Sequence, residues 1–438
     1  MPRVPGPQHR RHGPMNPLHA AAYCGNFEAA ASLVASDAFD IDQGSGEYGW
    51  TALMMASGGG YSRIVRMLLN MGAQLLIADD HGATALHQSA IAGHLAVTNM
   101  LVEAGAPVEA ATSPHLCTPL HFAADNGCAA SVTTLLKAGA NLNARRSPGG
   151  ITPLYTAAWK GNVDVARLLL LAKADPLLST VPDPSGKTFL PLDAAAKKGH
   201  PKVVHELIRQ VGIDGCGGSS GGVRALQQAT QYKHLDIMVI LTKAGVVDTG
   251  LALVVAAVHG GEAPLKFLLD QARARKTTDW PAYVNTRDRC GVPPLLGGIQ
   301  HYRPRVVRLL VDAGADTTSP VPVSNQPRGN DSSITPLGFT MNLLGNKVAR
   351  PGTASQEELN KLEAIRRLLL RVEAVNAISW LWSSDISTIT HATAMGTDRT
   401  TATSTAGTPP MLMMRRRTRG SKVPLAALLR WVVIVTRR

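Results

Sequence analysis

The chain repeats one pattern of apolar, small and polar positions over much of its length. In each copy, a small polar residue is followed by proline or alanine, a leucine, two variable positions and then small residues such as alanine. The clearest copies begin at Asn16, Thr51, Thr84, Thr118 and Thr152. Their leucines follow one another at intervals of 35, 33, 34 and 34 residues. A spacing this regular predicts one small structural unit that is repeated along the chain.

Each copy predicts two short helices joined by a tight turn. In the fourth copy, Thr118 suits the helix N-cap because its hydroxyl can accept from an unpaired backbone N–H, and Pro119 suits the first helical position. Gly127 is expected to end this first helix, and residues 131–137 have the apolar spacing of a second one. Gly139 then fits the left-handed position after a helix, before a turn-rich connector to the next copy.

A helix pair of this size cannot bury its own apolar face, so its stability has to come from stacking on its neighbours. The predicted fold class is therefore an all-α solenoid of about nine to ten helix-turn-helix units. Weaker copies continue the series at Leu190, Arg224, Pro293 and Thr335, and residues 251–269 predict a helix pair without the threonine-proline start. The low aromatic content of 4% agrees, because small aliphatic side chains fill the space between thin helices.

Two recurring segments, typified by Thr118–His121 and Ala138–Ala140, resemble the signatures of the ankyrin repeat. The resemblance covers most of residues 16–318. It implies that the connectors between repeats are protruding hairpins, called fingers below. It also implies that the histidine of the motif, as in His87 and His121, bonds back to the threonine that starts the motif. That histidine is then structural rather than a metal ligand or a catalytic group.

Changes in composition and in the quality of the pattern divide the chain into five predicted parts. They are a disordered basic arm (1–15), regular repeats (16–212), degenerate repeats with insertions (213–318), a last degenerate repeat with a capping helix (319–390) and a disordered basic tail (391–438).

Two segments within these parts have a recognisable local chemistry. The glycine-rich segment Gly215–Gly222 is predicted to be a flexible loop. It is not predicted to bind phosphate, since it lacks the Gly-Lys-Ser/Thr ending of a phosphate-binding loop. Ser355–Glu358 has the sequence of a capping box, and apolar residues at helical spacing follow it. This pattern predicts a long helix that covers the end of the stack.

The formal net charge of +13 is concentrated in the two tails. Residues 391–438 contain nine Lys/Arg against one Asp, and three arginines lie within residues 1–15, which leaves +2 for the body. A cluster in the C-terminal tail is typical of nuclear-import or polyanion-binding segments. It consists of Arg415, Arg416, Arg417 and Arg419. The tail, and not the array, is therefore the candidate for contact with nucleic acid or an anionic membrane.

No paired carboxylates, nucleophile with a base, or metal-ligand spacing stands out. We therefore predict a protein that is not an enzyme and that has no metal, cofactor or small-molecule substrate. The five cysteines are scattered without a Cys-x-x-Cys pair, which predicts reduced thiols. Neither a signal peptide nor a stretch of about 18 apolar residues is visible. These features favour a cytoplasmic protein, with the nucleus as the alternative location.

Partners of ankyrin proteins, to which this sequence is similar, lie in a concave groove and touch the finger residues just before the motif and the two residues after its paired alanines. The resemblance implies a partner-binding set of Tyr23, Glu47, Tyr48, Trp50, Asp80, His81, Ile91, His115, Asp125, Asn126, Trp159 and Lys160. Tyr23, Tyr48, Trp50 and Trp159 are the strongest candidates for anchors, because tyrosine and tryptophan dominate binding hot spots. The alternative is that Trp50 and Trp159 pack against adjacent fingers.

Three functional hypotheses are compatible with these features. In the first, the array is a scaffold or adaptor that binds a protein partner of unknown identity in its groove. In the second, the basic tail directs association with nucleic acid or an anionic membrane, and the array is a support. In the third, the chain is a regulatory region whose catalytic module has been lost or lies in another chain.

Overall fold

A computed structural model describes residues 14–36, 38–182, 186–319, 334–348 and 355–383. Within these residues the chain is helical and contains no β-strand, apart from two isolated antiparallel bridges at finger bases, Ser45 with Trp50 and Arg146 with Ile151. The predicted all-α class is confirmed. The chain divides into two compact units, Met1–Ala252 and Leu253–Arg438. Among the helices of the described ranges, none has the length and low polarity needed to cross a membrane.

The first unit contains seven consecutive helix pairs. They are α1 (Pro17–Cys24) and α2 (Phe27–Ala35), α3 (Ala52–Gly58) and α4 (Ser62–Asn70), α5 (Ala85–Ala92) and α6 (Leu95–Glu103), α7 (Pro119–Asn126) and α8 (Ala129–Lys137), α9 (Pro153–Lys160) and α10 (Val163–Leu171), α11 (Pro191–Lys198) and α12 (Pro201–Val211), and α13 (Gly218–Gln231) and α14 (Leu235–Lys243). From α3 to α14, first helices pack against the first helices of neighbouring pairs, and second helices against second helices. The unit therefore has two helical layers, as stacking of the repeats predicts.

The start and end of each first helix follow the predicted local chemistry. Thr118 lies in an extended conformation before α7, and Pro119 occupies the first turn. Gly127 ends α7 in the left-handed region, with a φ of 73°. An ideal Cβ on Gly127 would lie 2.9 Å from Oδ1 of Asn162, so both the backbone angle and the close neighbour require glycine.

The motif histidines are buried structural groups that join successive repeats. The backbone N–H of Thr118 donates to Nδ1 of His121 over 3.2 Å, which leaves the proton on Nε2. Nε2 then donates to the carbonyl oxygen of Ile151, in the next finger, over 3.1 Å. His87 makes the same bonds to Thr84 and to the Cys117 carbonyl. The structural role implied by the resemblance is confirmed, and burial lowers the pKa of both histidines to about 4.

The sixth repeat has an aspartate in place of the motif histidine. Oδ2 of Asp193 accepts from the backbone N–H of Leu190 over 2.9 Å, so the carboxylate reproduces the bond to the start of the motif. The same oxygen lies 3.3 Å from Nη2 of Arg224 in the next repeat, which replaces the bond to a finger carbonyl. Only 1% of Asp193 is exposed, and burial raises its pKa to about 6.

The core of the unit consists of leucines flanked by small residues, as the pattern predicts. Leu120, Ala123 and Ala124 of α7 are completely buried, and so are Val132 and Leu135 of α8. Because alanine faces the neighbouring repeats, the first helices can approach one another closely and still exclude water.

The prediction of a flexible loop at Gly215–Gly222 is wrong. Residues Asp214–Cys216 form a 3₁₀ turn, and α13 begins at Gly218. The glycines allow close packing: an ideal Cβ on Gly221 would lie 2.4 Å from the carbonyl oxygen of Cys216, and one on Gly222 would lie 2.7 Å from Cγ2 of Val246. Tertiary packing overrides the low helix propensity of glycine at these positions.

The second unit continues the helix pairs with larger irregularities. Its elements are α15 (Leu251–Val255), which spans the unit boundary, a π-helical turn (Ala256–Gly260), α16 (Glu262–Ala274), α17 (Trp280–Val284), α18 (Pro294–Gln300), α19 (Pro304–Asp312), α20 (Pro336–Val348) and α21 (Gln356–Ser383). The pair predicted at 251–269 is present as α15 with the π turn and α16. The predicted long helix is α21, whose start is capped by the Ser355 hydroxyl accepting from the Glu358 N–H over 3.2 Å, and which packs on α19 and α20.

Candidate protein-binding face

The fingers of the first unit are joined to one another by backbone hydrogen bonds. In each bond an N–H of one finger donates to a carbonyl oxygen that lies 32 residues earlier. The donor and acceptor pairs are Asp80 and Tyr48 (3.0 Å), Ser113 and His81 (2.6 Å), Ser147 and His115 (2.7 Å), and Val181 and Gly149 (2.7 Å). No local sequence pattern indicates this ladder. Because these backbone groups bond to one another, side chains provide the contacts open to a partner.

Four residues of the predicted partner-binding set meet on the first two fingers. The ring of Tyr48 lies 5.5 Å from that of His81, and 45% of Tyr48 is exposed. Glu47 and Asp80 are exposed beside them, so this part of the face is acidic and aromatic. His115 is exposed on the third finger.

Trp50 has the contacts expected of a residue that packs against the adjacent finger. Its ring is half-buried, and its indole N–H donates to Oδ2 of Asp79 over 3.0 Å. The other carboxylate oxygen of Asp79 accepts from the backbone N–H groups of His81 and Ala83. Trp50 therefore helps to fix the second finger, which is the alternative role considered for it.

Three other residues of the set bond to neighbouring repeats. Asp125 and Lys160 form an ion pair over 2.9 Å. The side-chain amide of Asn126 donates to the carbonyl oxygens of Ala90 (3.4 Å) and Ile91, at the end of α5. The structure thus gives Asn126 a capping role that the sequence analysis did not assign.

The residue after the glycine that ends a first helix often caps the first helix of the preceding repeat. The amide of Asn162 donates to the carbonyl oxygens of Ala124 (2.7 Å) and Asp125 (3.0 Å). His94 and His200 also follow such a glycine and contact the carbonyls of Gly58 and Trp159 through Nε2. His234 follows Lys233 rather than glycine but contacts the Lys197 carbonyl in the same way. Recurrence of asparagine or histidine after the glycine, at the period of the repeat, is a sequence signal that could have revealed this cap.

We expect Asn162→Ala to lower the free energy of unfolding by about 1 kcal/mol, because two partly buried carbonyls lose a donor. Asn162→His is the matched control, since histidine serves as the cap at the same position of the next two repeats. Urea unfolding followed by circular dichroism should show the loss for alanine and a smaller one for histidine. Equal losses for both variants would contradict the capping role.

The remaining residues of the set present apolar and aromatic surface. Tyr23 follows the paired alanines of the first repeat and is 62% exposed, and Ile91 is 39% exposed at the equivalent position of the third. Trp159 is half-buried and stacks on Tyr155, with ring centroids 6.2 Å apart and planes 17° apart. The ammonium group of Lys198 lies 4.2 Å from the Trp159 ring centroid.

The family described as "Ankyrin repeats (3 copies)" matches residues 6–79, 73–146 and 112–180. Those ranges contain the helix pairs, capped motifs and fingers of the first five repeats. Residues 6–180 of the chain are ankyrin repeats. Ankyrin repeats generally mediate protein–protein interaction, and the family is typically non-enzymatic.

The chain is similar to parts of two known proteins. The crystal structure of the human ASB11 ankyrin repeat domain is 29% identical with a TM-score of 0.40, and the match covers 45% of this chain and 84% of that one. Glycerophosphocholine phosphodiesterase GDE1 of Candida albicans is 31% identical over 85 residues, which are 19% of this chain and 7% of the relative. A match to so small a part of that protein does not show catalytic activity in this ankyrin array.

The basic cluster of the tail, Arg415–Arg419, lies outside the described residues. Within the part of the chain that the structure describes, no group of three or more His, Cys, Asp or Glu side chains is placed to hold a metal ion. The five cysteines are free thiols, with Cys117 and Cys216 buried.

Proposed function

We propose that this chain is a non-enzymatic scaffold or adaptor that binds a segment of a partner protein along the concave groove of its ankyrin array. The binding face consists of the fingers and the C-terminal ends of the first helices of the first unit. Tyr23, Tyr48, Ile91 and Trp159 supply its apolar contacts, and Glu47, Asp80, His81 and His115 supply polar ones. Trp50, Asp125, Asn126 and Lys160 shape the face through their contacts with neighbouring repeats.

The observation that supports the proposal is the exposure of large apolar side chains on this face. Aromatic residues are only 4% of the sequence, yet Tyr23 is 62% and Tyr48 is 45% exposed on it. Exposed tyrosines on a rigid frame are suited to binding, because they bury much area at a small cost in conformational entropy. The ladder between fingers provides that rigid frame.

Site-specific photo-cross-linking in the full chain tests the proposal. A photoreactive phenylalanine analogue replaces Tyr23, Tyr48 or Ile91 on the face. The controls replace Met71 and Leu171, which are also exposed but lie at the C-terminal ends of α4 and α10 in the other helical layer. We expect the face positions to capture one common protein and the controls to capture none of it.

Equal capture at Met71 and Leu171 would contradict binding at this face. A second arm repeats the experiment with a chain that lacks residues 391–438. The charge of that segment, nine basic side chains against one acidic, favours the alternative in which the tail binds nucleic acid or an anionic membrane. If capture depends entirely on the tail, that alternative replaces the groove.

A further inference from the structure

Three aromatic rings and two lysines lie close together near the fifth, sixth and seventh first helices. Trp159, Lys197, Lys198 and Tyr232 are at the C-terminal ends of these helices, and Phe189 precedes the sixth. We call Trp159, Phe189, Lys197, Lys198 and Tyr232 the lysine–aromatic patch. The ammonium group of Lys197 lies 5.6 Å from the ring centroid of Trp159 and 5.8 Å from those of Phe189 and Tyr232. The ammonium group of Lys198 also lies against Trp159, 4.2 Å from its ring centroid. Cation–π attraction therefore holds both lysines against the rings.

Neither lysine of the patch forms an ion pair with any carboxylate that the structure describes. The acidic group on the same helix, Asp193, is buried and already bonded to the Leu190 N–H and to Arg224. The ring faces do not neutralise the ammonium groups, and Lys198 is exposed. Lysines in the last turn also stabilise a helix through its dipole, but that role needs no aromatic rings around them. Because the two ammonium groups keep their charge and lie beside aromatic rings, this surface is suited to a ligand that is anionic and partly apolar.

The charge of the first unit changes sign along the array. Residues 14–129 carry ten acidic and two basic side chains, a net charge of −8, and residues 130–250 carry 14 basic and eight acidic ones, a net charge of +6. The net charge of only +2 for the whole body of the chain, between its two tails, does not reveal this asymmetry. The lysine–aromatic patch lies in the basic part, and Glu47 and Asp80 lie on fingers of the acidic part.

We propose that the lysine–aromatic patch binds an acidic segment of a partner protein, one in which Asp or Glu side chains alternate with apolar ones. This inference rests on the proposed function, because it names the chemistry of the segment that the groove takes. Carboxylates of the segment accept charge-assisted hydrogen bonds from Lys197 and Lys198. Its apolar side chains pack on the exposed parts of Trp159 and Tyr232.

Two features favour a protein segment over a nucleic acid strand. A strand that followed the face would bring its phosphates to the acidic fingers, where Glu47 and Asp80 repel them. A protein segment can instead change its charge along its length, acidic at the patch and neutral or basic at the fingers. The stacking of the lysines on the rings also restricts their rotamers before binding, which lowers the entropy cost of forming the ion pairs.

The test measures binding of fluorescent peptides to the full chain by anisotropy at low ionic strength. The probes are a short peptide of alternating Glu and Leu, the same peptide with Gln for Glu, the same with Lys for Glu, and oligothymidylate. We expect the Glu peptide to bind more tightly than the Gln peptide by at least about tenfold, which corresponds to ~1.4 kcal/mol. The Lys peptide should not bind at the patch.

Variants of the chain then locate the binding. Lys197→Gln/Lys198→Gln should weaken binding of the Glu peptide by about tenfold or more, since its carboxylates lose the charge-assisted hydrogen bonds from both ammonium groups. Lys202→Gln, an exposed lysine on α12, is the control for loss of charge elsewhere, and Lys198→Arg should retain binding. Because these substitutions leave Trp159 and the core unchanged, circular dichroism should show an intact array.

Three results would overturn the proposal: no binding of the Glu peptide, equal binding of the Glu and Gln peptides, or equal effects of the patch and Lys202 variants. Oligothymidylate binding that depends on Lys197 and Lys198, without peptide binding, would also overturn it in favour of a nucleic acid surface. The cross-linking at Tyr23, Tyr48 and Ile91 is independent of these lysines. A partner captured there despite loss of the patch charges would retain the proposed function and reject only the acidic segment.

Discussion

Acidification from about pH 7 to about pH 5 is expected to lower the free energy of unfolding of the array by roughly 3 kcal/mol. The main cause is a pair of motif histidines, and burial lowers the pKa of a third, His19, in the same direction. Burial lowers the pKa of His87 and His121 from 6.5 to about 4, so the folded state holds them neutral while the unfolded chain takes up protons. Stability due to this difference is present above the unfolded pKa of 6.5 and is lost as the pH falls towards 4. At pH 5 the losses from His87 and His121 together amount to roughly 4 kcal/mol before the gain from Asp193 is subtracted.

Asp193 partly offsets this loss, because its pKa is shifted in the opposite sense. Burial raises that pKa from 3.8 to about 6, so the folded state takes up a proton before the unfolded chain does. Stability therefore increases by about 1 kcal/mol over the same pH interval. The buried carboxylate Glu206, with a pKa lowered to about 2, stays ionised in both states until the pH approaches 4.5.

Urea unfolding at several pH values in this interval measures the effect as a slope against pH. His87→Gln/His121→Gln removes both titrating rings, and we expect its slope to become flat or to reverse, because Asp193 then dominates. Asp193→Asn should make the slope steeper than in the unsubstituted chain. The slope separates titration from a general loss of packing, which changes stability equally at every pH. An unchanged slope in the histidine variant would show that the histidines are not the cause.

Gly221→Ala is expected to destabilise the seventh repeat by about 1–3 kcal/mol, the range for overpacking of a well-packed site. An ideal Cβ on Gly221 would lie 2.4 Å from the carbonyl oxygen of Cys216, which is backbone and cannot rotate away. In a flexible loop the same substitution would be neutral or would stabilise the chain, since alanine reduces the conformational entropy of the unfolded state. The sign of the change therefore distinguishes a packed helix from a loop.

Ser219→Ala is the control for this substitution, because Ser219 is exposed on the same helix, α13. We expect it to be neutral or slightly stabilising, since alanine has the highest helix propensity. Hydrogen exchange at the amides of α13 and α14 provides a local measurement beside global unfolding. Faster exchange in Gly221→Ala, confined to these helices, is the expected result, and unchanged protection with unchanged stability would contradict the packing of Gly221.

The partner-binding set shows how far position alone predicts a site. Sequence position placed Tyr48, Asp80 and His81 on fingers, and the structure exposes all three. Position could not show that the Trp50 indole donates to Asp79 or that Lys160 pairs with Asp125, because each bond joins residues about one period apart. Whether these residues bind a partner stays a prediction until the cross-linking is done.

The sequence by itself determined the period, the helix pairs, the caps at Thr118 and Gly127, and the all-α class. These features depend on backbone geometry and on the spacing of apolar residues within one repeat, which a local pattern records. Only the tertiary structure decided the helical state of Gly218–Gly222, the replacement of a histidine bond by Asp193 and Arg224, and the meeting of Trp159 with Lys197 and Lys198. The physical reason is that tertiary contacts set these features. The contacts of Asp193 and Trp159 join residues about one repeat apart, and the helix at Gly218–Gly222 depends on close packing against Cys216 and Val246.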